Sequence, residues 1–441
     1  MPKLTPDQVK GMAPDPASLK AGQGLAAPRH WASLGGNDRG LWGECQGSGK
    51  KPYQVRVDLS NLGYACTCPS RKFPCKHVLG LLFLAANSPA EFARVEEPAW
   101  FSEWLAKRSA RQKTAAKRTT SKPDPEARQK DARRRAAKRE KLAETGIDSL
   151  EQWLKDFARL GVAFAQSAPD SFWEDQAARM VDCQIPGAAR LIREIQALPG
   201  SKKDWAERLL LSLGRLYLLA RAFRKLESLP ETTRQEVRSL LGWTIKQDEL
   251  IASQPGVHDG WLVLASSTEE DEKTGLRTQI NWLWGKASSR PAQIINYAHR
   301  SQPLDNSLIP GLVLEGELVY FPGEVPLRAV FKHKRVSRGV FTPGGHPDLD
   351  SFLLDYARTL GRNPWLEVYP VMLDQVFPVK IEQNWLLSDR QNRALPLAEG
   401  FGSPWELLAV SGGHPLTIFG LWDGFALTPV CTWDEERFLS L

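Results

Sequence analysis

The chain has 441 residues, 42% of them hydrophobic and 25% charged, with a formal net charge of +7. That length and balance exclude a fibrous or wholly disordered chain and predict two or three globular domains with sizeable cores. No run of about 18 apolar residues occurs, which argues against a membrane-spanning helix, and the six cysteines fit a reducing cytosol better than a secreted disulfide scaffold.

Residues 1 to 28 are rich in Pro, Gly and Ala with few large apolar residues, and read as a flexible arm or a ligand-docking segment. The start, Met1 to Gln8, carries no apolar signal region. Short turn-rich pieces follow from His30 to Cys45. Gly47-Ser-Gly-Lys-Lys51 resembles a phosphate loop only superficially, because the four-residue spacer ahead of a Gly-Lys-Ser/Thr end is missing.

Tyr53 to Leu59 alternates as a strand does, and Ser60-Asn-Leu-Gly63 reads as a hairpin turn. The returning segment carries Cys66 and Cys68, whose side chains share a face at i and i+2. Pro69 and Pro74 bracket a loop, Cys75 ends it, and His77 falls in the first turn of the apolar helix Val78 to Ala86. Three thiols and one imidazole within twelve residues make a Cys3His set, which suits a closed tetrahedral Zn²⁺ site with no position left for water. The zinc is therefore expected to be single and structural. Trp42, Tyr53 and Tyr64 are the expected small core around it, and Pro98 to Leu105 an aromatic cap packing back on the unit. Cys45 reads as a packing thiol, with a spare metal ligand as the alternative.

The spacing Cys-x-Cys-x6-Cys-x-His resembles the SWIM-type zinc finger, a ββα unit, over about residues 30 to 90. All four ligand positions of that pattern are matched, by Cys66, Cys68, Cys75 and His77. The resemblance implies a DNA-binding or protein-interaction module of the kind found in many bacterial proteins.

Charge is concentrated next. Lys107 to Lys141 holds 15 Lys or Arg against 4 Asp or Glu, a net of +11, so the rest of the chain sums to −4. Residues 106 to 145 read as a basic linker, solvated and extended by self-repulsion, or as an arm that contacts phosphates. Arg133, Arg134 and Arg135 head its densest run, which has helical propensity but no apolar stripe. Arg71, Lys72 and Lys76 in the metal loop are the other candidate phosphate contacts.

Residues 146 to 250 predict a helical domain. Leu150, Trp153, Leu154, Phe157, Leu160 and Phe164 recur at helical spacing, and further segments run 171 to 183, 187 to 198, 203 to 228 and 231 to 242. From 251 the period shifts toward strands, with one helix over Asp348 to Leu360, so residues 251 to 441 predict an α+β or mainly β domain. Gly344-Gly-His-Pro347 recurs as Gly412-Gly-His-Pro415, which reads as one turn used twice. No catalytic triad, Walker motif or nucleotide fingerprint is found. The whole predicts a multidomain α+β protein in the cytoplasm: a ββα zinc finger, a helical bundle or scaffold, and a C-terminal mainly β or α+β domain. The expected partner is nucleic acid, held by the finger and the basic stretch; the alternative is an adaptor for partner proteins.

Overall fold

The computed structural model describes residues 5–46, 51–59, 62–70, 72–92, 96–117, 125–271, 274–299, 304–337, 341–434 and 437–441, and between 110 and 133 it describes backbone alone. The described strands form three antiparallel sheets.

The N-terminal unit begins with two short helices, α1 (Pro6–Gly11) and α2 (Pro16–Gly24), ahead of a four-stranded meander. Its strands are β1 (Trp31–Gly36), β2 (Gly40–Cys45), β3 (Tyr53–Asp58) and β4 (Gly63–Cys66), followed by α3 (Lys76–Asn87) and α4 (Ala99–Lys117). On one face Leu41, Cys45, Val55 and Val57 pack against α3. On the other, Trp42 meets Phe101 of α4 at 4.8 Å between ring centroids, as the aromatic cap predicts. Trp42 therefore lies on the opposite face of the sheet from Tyr53 and Tyr64, and the three do not form one core.

The flexible-arm reading of residues 1 to 28 is corrected for the described residues from Thr5 onward. Every residue of α3 from His77 to Leu84 is buried, so the helix needs cover on the side turned away from the sheet. Helices α1 and α2 supply it with Val9, Met12 and Leu19. The small residues that read as disorder are what permit the approach: a Cβ on Gly22 would stand 2.6 Å from the Leu79 Cβ, and one on Gly80 2.7 Å from that of Leu25. Side-chain caps hold both starts, Thr5 with Gln8 on α1 and Asp15 on α2.

The helical part comprises α5 (Pro125–Leu160), α6 (Asp170–Asp182), α7 (Pro186–Gln196), α8 (Trp205–Arg224) and α9 (Glu231–Leu240). Their inner faces bury Ile147, Leu150, Phe157, Trp173, Met180, Ile192, Leu209 and Leu216 in one core. A separate linker ending near residue 145 is not what forms. Helix α5 runs unbroken from Pro125 into the bundle, because Ala143, Ile147 and Leu150 bury its C-terminal half while the basic residues before them remain good helix formers.

After α10 (Gln247–Ser253) come β5 (Val257–Asp271), β6 (Leu276–Gly285), β7 (Pro291–His299), β8 (Val313–Tyr320) and β9 (Ala329–Val336), in the order β7-β6-β5-β8-β9. A parallel bridge from Gln293 to Arg328, with Gln293 N donating to Leu327 O at 2.7 Å, brings the last strand back to β7. The result is a partly open five-stranded Greek-key barrel with the connectivity of an OB-type fold. Trp261, Leu283, Leu314 and Tyr320 fill it.

Helix α11 (Leu349–Arg362) starts at Asp348, whose side chain accepts from Ser351 N at 2.7 Å. The last sheet contains β10 (Tyr369–Ile381), β11 (Asn384–Ser388), β12 (Ala394–Pro396), β13 (Leu416–Trp422), β14 (Leu427–Asp434) and β15 (Arg437–Ser440), with α12 (Pro404–Ser411) between β12 and β13. It packs on the barrel through Trp282, Trp284, Phe419 and Trp433. The two Gly-Gly-His-Pro segments do different jobs. His346 N donates to Met372 O beside β10, whereas Gly412 and Gly413, at φ of 53° and 87°, close α12.

Candidate metal centre

Strand β4 ends at Cys66, so Cys68 lies just beyond it rather than on a returning strand, while Cys75 occupies the N-cap of α3 and His77 its first turn. The strand end and the helix start converge. The donor atoms of Cys66, Cys68, Cys75 and His77 all lie within 4.8 Å of one another. His77 Nδ1 is 3.8 Å from Cys66 Sγ and 4.0 Å from Cys75 Sγ. Around a tetrahedral zinc with Zn–S of about 2.3 Å and Zn–N of about 2.0 Å, donor atoms stand about 3.5 to 3.8 Å apart, so a small contraction of this cage would seat the ion, with Nδ1 the ring nitrogen that faces the sulfurs. Among the described residues this is the one group of three or more such donors.

The surroundings suit thiolate charge. Backbone N–H groups of Cys68, Ser70 and Val78 donate to the sulfurs of Cys66, Cys68 and Cys75 respectively. The hydrogen bond from the Cys66 thiol, ahead of the opposing effect of burial, pulls the Cys75 thiol down. Cys66 is pushed up by the same bond and by burial. Zinc takes its cysteine ligands as thiolates, so binding would release the protons that the three thiols hold. The Tyr53 ring covers His77 at 5.0 Å.

Cys45 is fully buried and lies outside the donor set, with its thiol pushed up to about 11 by burial. It is a packing residue. The other candidates divide. Arg71 and the side chain of Arg133 lie outside the described residues. Lys72 is bound to Asp15, Nζ to Oδ2 at 2.9 Å, while Lys76 is exposed at the start of α3. Arg134 and Arg135 are exposed on α5, an element apart from the metal loop. Sequence reasoning missed two further contacts. Arg139 stacks over Trp243 at 4.6 Å, and Asn306 Nδ2 donates to the Tyr64 hydroxyl at 2.5 Å, joining the finger to the barrel. Neither pair leaves a local signal, since the partners stand far apart in sequence.

Comparison with known families agrees with this geometry. Residues 53–86 match the SWIM zinc finger, and residues 138–241 match the SWIM-associated four-helix bundle domain. The second match covers the bundle, for which the sequence pattern named no family. Neither a curated protein nor a solved structure matches the chain. No described helix is long and apolar enough to cross a membrane.

Proposed function

We propose that this zinc-finger protein binds nucleic acid through backbone phosphates, and that the N-terminal half of α5 is the contact surface. One observation carries the reading: the basic block stands on a helix anchored in a core. Arg134, Arg135, Lys138, Arg139 and Lys141 are exposed, and one turn later Ala143 and Ile147 are fully buried. At 1.5 Å per residue, Arg134 to Lys141 span about 11 Å of helix axis, so these cations form one compact cluster that can meet a few neighbouring phosphates. An anchored helix loses less conformational entropy on binding than a free arm does. The zinc holds together a unit whose own core is small, and Lys76 adds a cation at its surface. Fluorescence anisotropy of labelled duplex and single-stranded DNA, titrated with the zinc-loaded chain near 50 mM salt, tests the reading. Absence of binding to both would end it.

A protein partner is the second reading, favoured by a groove of about 400 Å³ between α5 and α8. Leu210 and Tyr217 line it while 56% and 43% exposed. Pull-down with and without nuclease separates the two: capture that survives nuclease favours the adaptor.

A further inference from the structure

A cavity of about 750 Å³ opens where α1, the barrel and the C-terminal strand β15 meet. Its size falls in the range of small-ligand sites. One wall is polar. Thr268 pairs with Gln279 across β5 and β6, and Ser266 with Asn281, so all four project from the same face of the sheet. Gln279 is 5% exposed and its Oε1 accepts from Asn296 Nδ2 at 3.0 Å, which leaves its amide nitrogen as a donor toward the cavity. The Ser266 and Thr268 hydroxyls have no hydrogen-bond partner among the described residues. Beneath this row Asn281 is fully buried, with its Oδ1 unpartnered among them.

The facing walls are apolar. Leu308, Ile309, Pro310 and Met12 contribute, with the Phe438 ring beside them. Gly311 is what lets that ring approach: at φ of 82° a Cβ there would stand 2.9 Å from Phe438 Cδ1. Charge is confined to the rim, where Asp7 pairs with Lys10 at 2.8 Å and lies 3.7 Å from Arg437. Asn306 also lines the cavity, and it is the residue that bonds Tyr64 two positions before Cys66.

We infer that this cavity binds a neutral planar heterocycle of the nucleobase class. The Phe438 ring and the apolar walls can stack such a ring, and the uncharged groups on the opposite side, with no charged side chain among them, read its edge. Because its oxygen is committed to Asn296, Gln279 selects a ligand that presents a carbonyl oxygen or ring nitrogen. The hydroxyls of Ser266 and Thr268 accept or donate as the ligand requires. The base can arrive as a free nucleoside or as one unit of a single strand.

The zinc-loaded full chain is titrated calorimetrically with adenosine, cytidine, guanosine and uridine, and with the four matching homo-oligonucleotides. A salt concentration of about 0.5 M screens the phosphate contacts of α5. Gln279→Glu keeps the oxygen that Asn296 bonds and removes the donor. Ser266→Ala with Thr268→Val removes the hydroxyls at exposed positions, so it serves as the fold-preserving second variant. A nucleoside Kd of about 1 mM or tighter, weakened about tenfold by both variants, supports the site. Binding of strands alone, with the same losses, also supports it and assigns the source to nucleic acid. The inference is overturned if no probe binds, or if neither variant weakens binding. Neither result bears on α5, whose residues are absent from the cavity lining.

Discussion

Lys72 Nζ lies 2.9 Å from Asp15 Oδ2, tying the metal loop to the N-cap of α2. Asp15 serves two partners, since Oδ1 also accepts from Ser18 N at 2.7 Å. The Lys72 ammonium first, and that backbone donor second, hold the Asp15 carboxyl down at about 2. The sign follows. With its pKa depressed on folding, Asp15 contributes stability that is present above the ordinary carboxylate value of 3.8 and lost as pH falls toward about 2. Both partners are surface groups, so the effect is local.

Two substitutions separate those roles. Asp15→Asn retains an N-cap but loses the charge opposite Lys72, and Asp15→Ala loses both. Hydrogen exchange by mass spectrometry is expected to show faster exchange in the metal loop for both variants, and in α2 only for the alanine. Equal protection of the loop in all three proteins would show that the ion pair does not hold it.

Zinc removal is expected to have a wider effect than a finger of residues 53–86 implies. Metal binding to such sites is worth about 10 kcal/mol or more and is folding energy for the unit that holds it. Helices α1 and α2 pack on α3, and Ile309 and Leu312 from the barrel join the same core. Cys75→Ser, or chelation of the wild type, should therefore expose residues 5–92 to protease while the α5–α9 core keeps its own transition. An intact N-terminal unit in metal-free protein would refute the structural role of zinc.

What the sequence showed and what it hid follow from the range of the interactions. The metal ligands were legible because four donors fall within twelve residues, and α6 to α9 because Pro186, Pro199 and Pro230 punctuate strong helical periods. Helices α1 and α2 were hidden because Gly22 and Gly80 act across a helix pair, where composition alone reads as disorder. Yet one clue was available. A helix apolar from Val78 to Leu84 on every side cannot be covered by a single sheet face. Barrel closure was illegible, since it rests on a bridge between Gln293 and Arg328. Strand β9, Ala329 to Val336, is interrupted by Lys332, His333, Lys334 and Arg335, and its alternation is too weak to detect.

Thiol reactivity offers a further check. Burial pushes the Cys45 thiol up to about 11 from an ordinary 9.0 and raises Cys183 and Cys431 as well. Native, zinc-loaded protein at pH 8 should resist iodoacetamide at all three, since thiolate is the attacking species. Chelation should release Cys45 along with the ligands, but not Cys183 in the bundle core or Cys431 in the sheet. The sign for stability is opposite to that of Asp15. A thiol whose pKa is raised on folding stabilises fully below 9.0, and that contribution fades as pH climbs toward 11. Labelling of Cys45 in the native protein at pH 8, as fast as a free thiol, would contradict its burial.

The last prediction tests whether the charge on α5 acts as a cluster of phosphate contacts. The slope of log affinity against log salt is about −0.9 for each phosphate neutralised on duplex DNA. Arg134→Glu with Lys138→Glu changes one face of the exposed segment, since residues four apart are neighbours on a helix. If both contact phosphate, the slope should flatten by about 2 units, and affinity near 50 mM salt should fall more than tenfold. Arg139 should behave differently. Its guanidinium lies over Trp243, so Arg139→Lys keeps the charge but loses a planar stack, and thermal stability is expected to change more than the salt slope does. Lys72→Ala is the internal control, because that ammonium is already bound to Asp15 and should leave the slope unchanged. A slope equally insensitive to the double reversal and to the Lys72 change would place the phosphate contacts elsewhere on the chain.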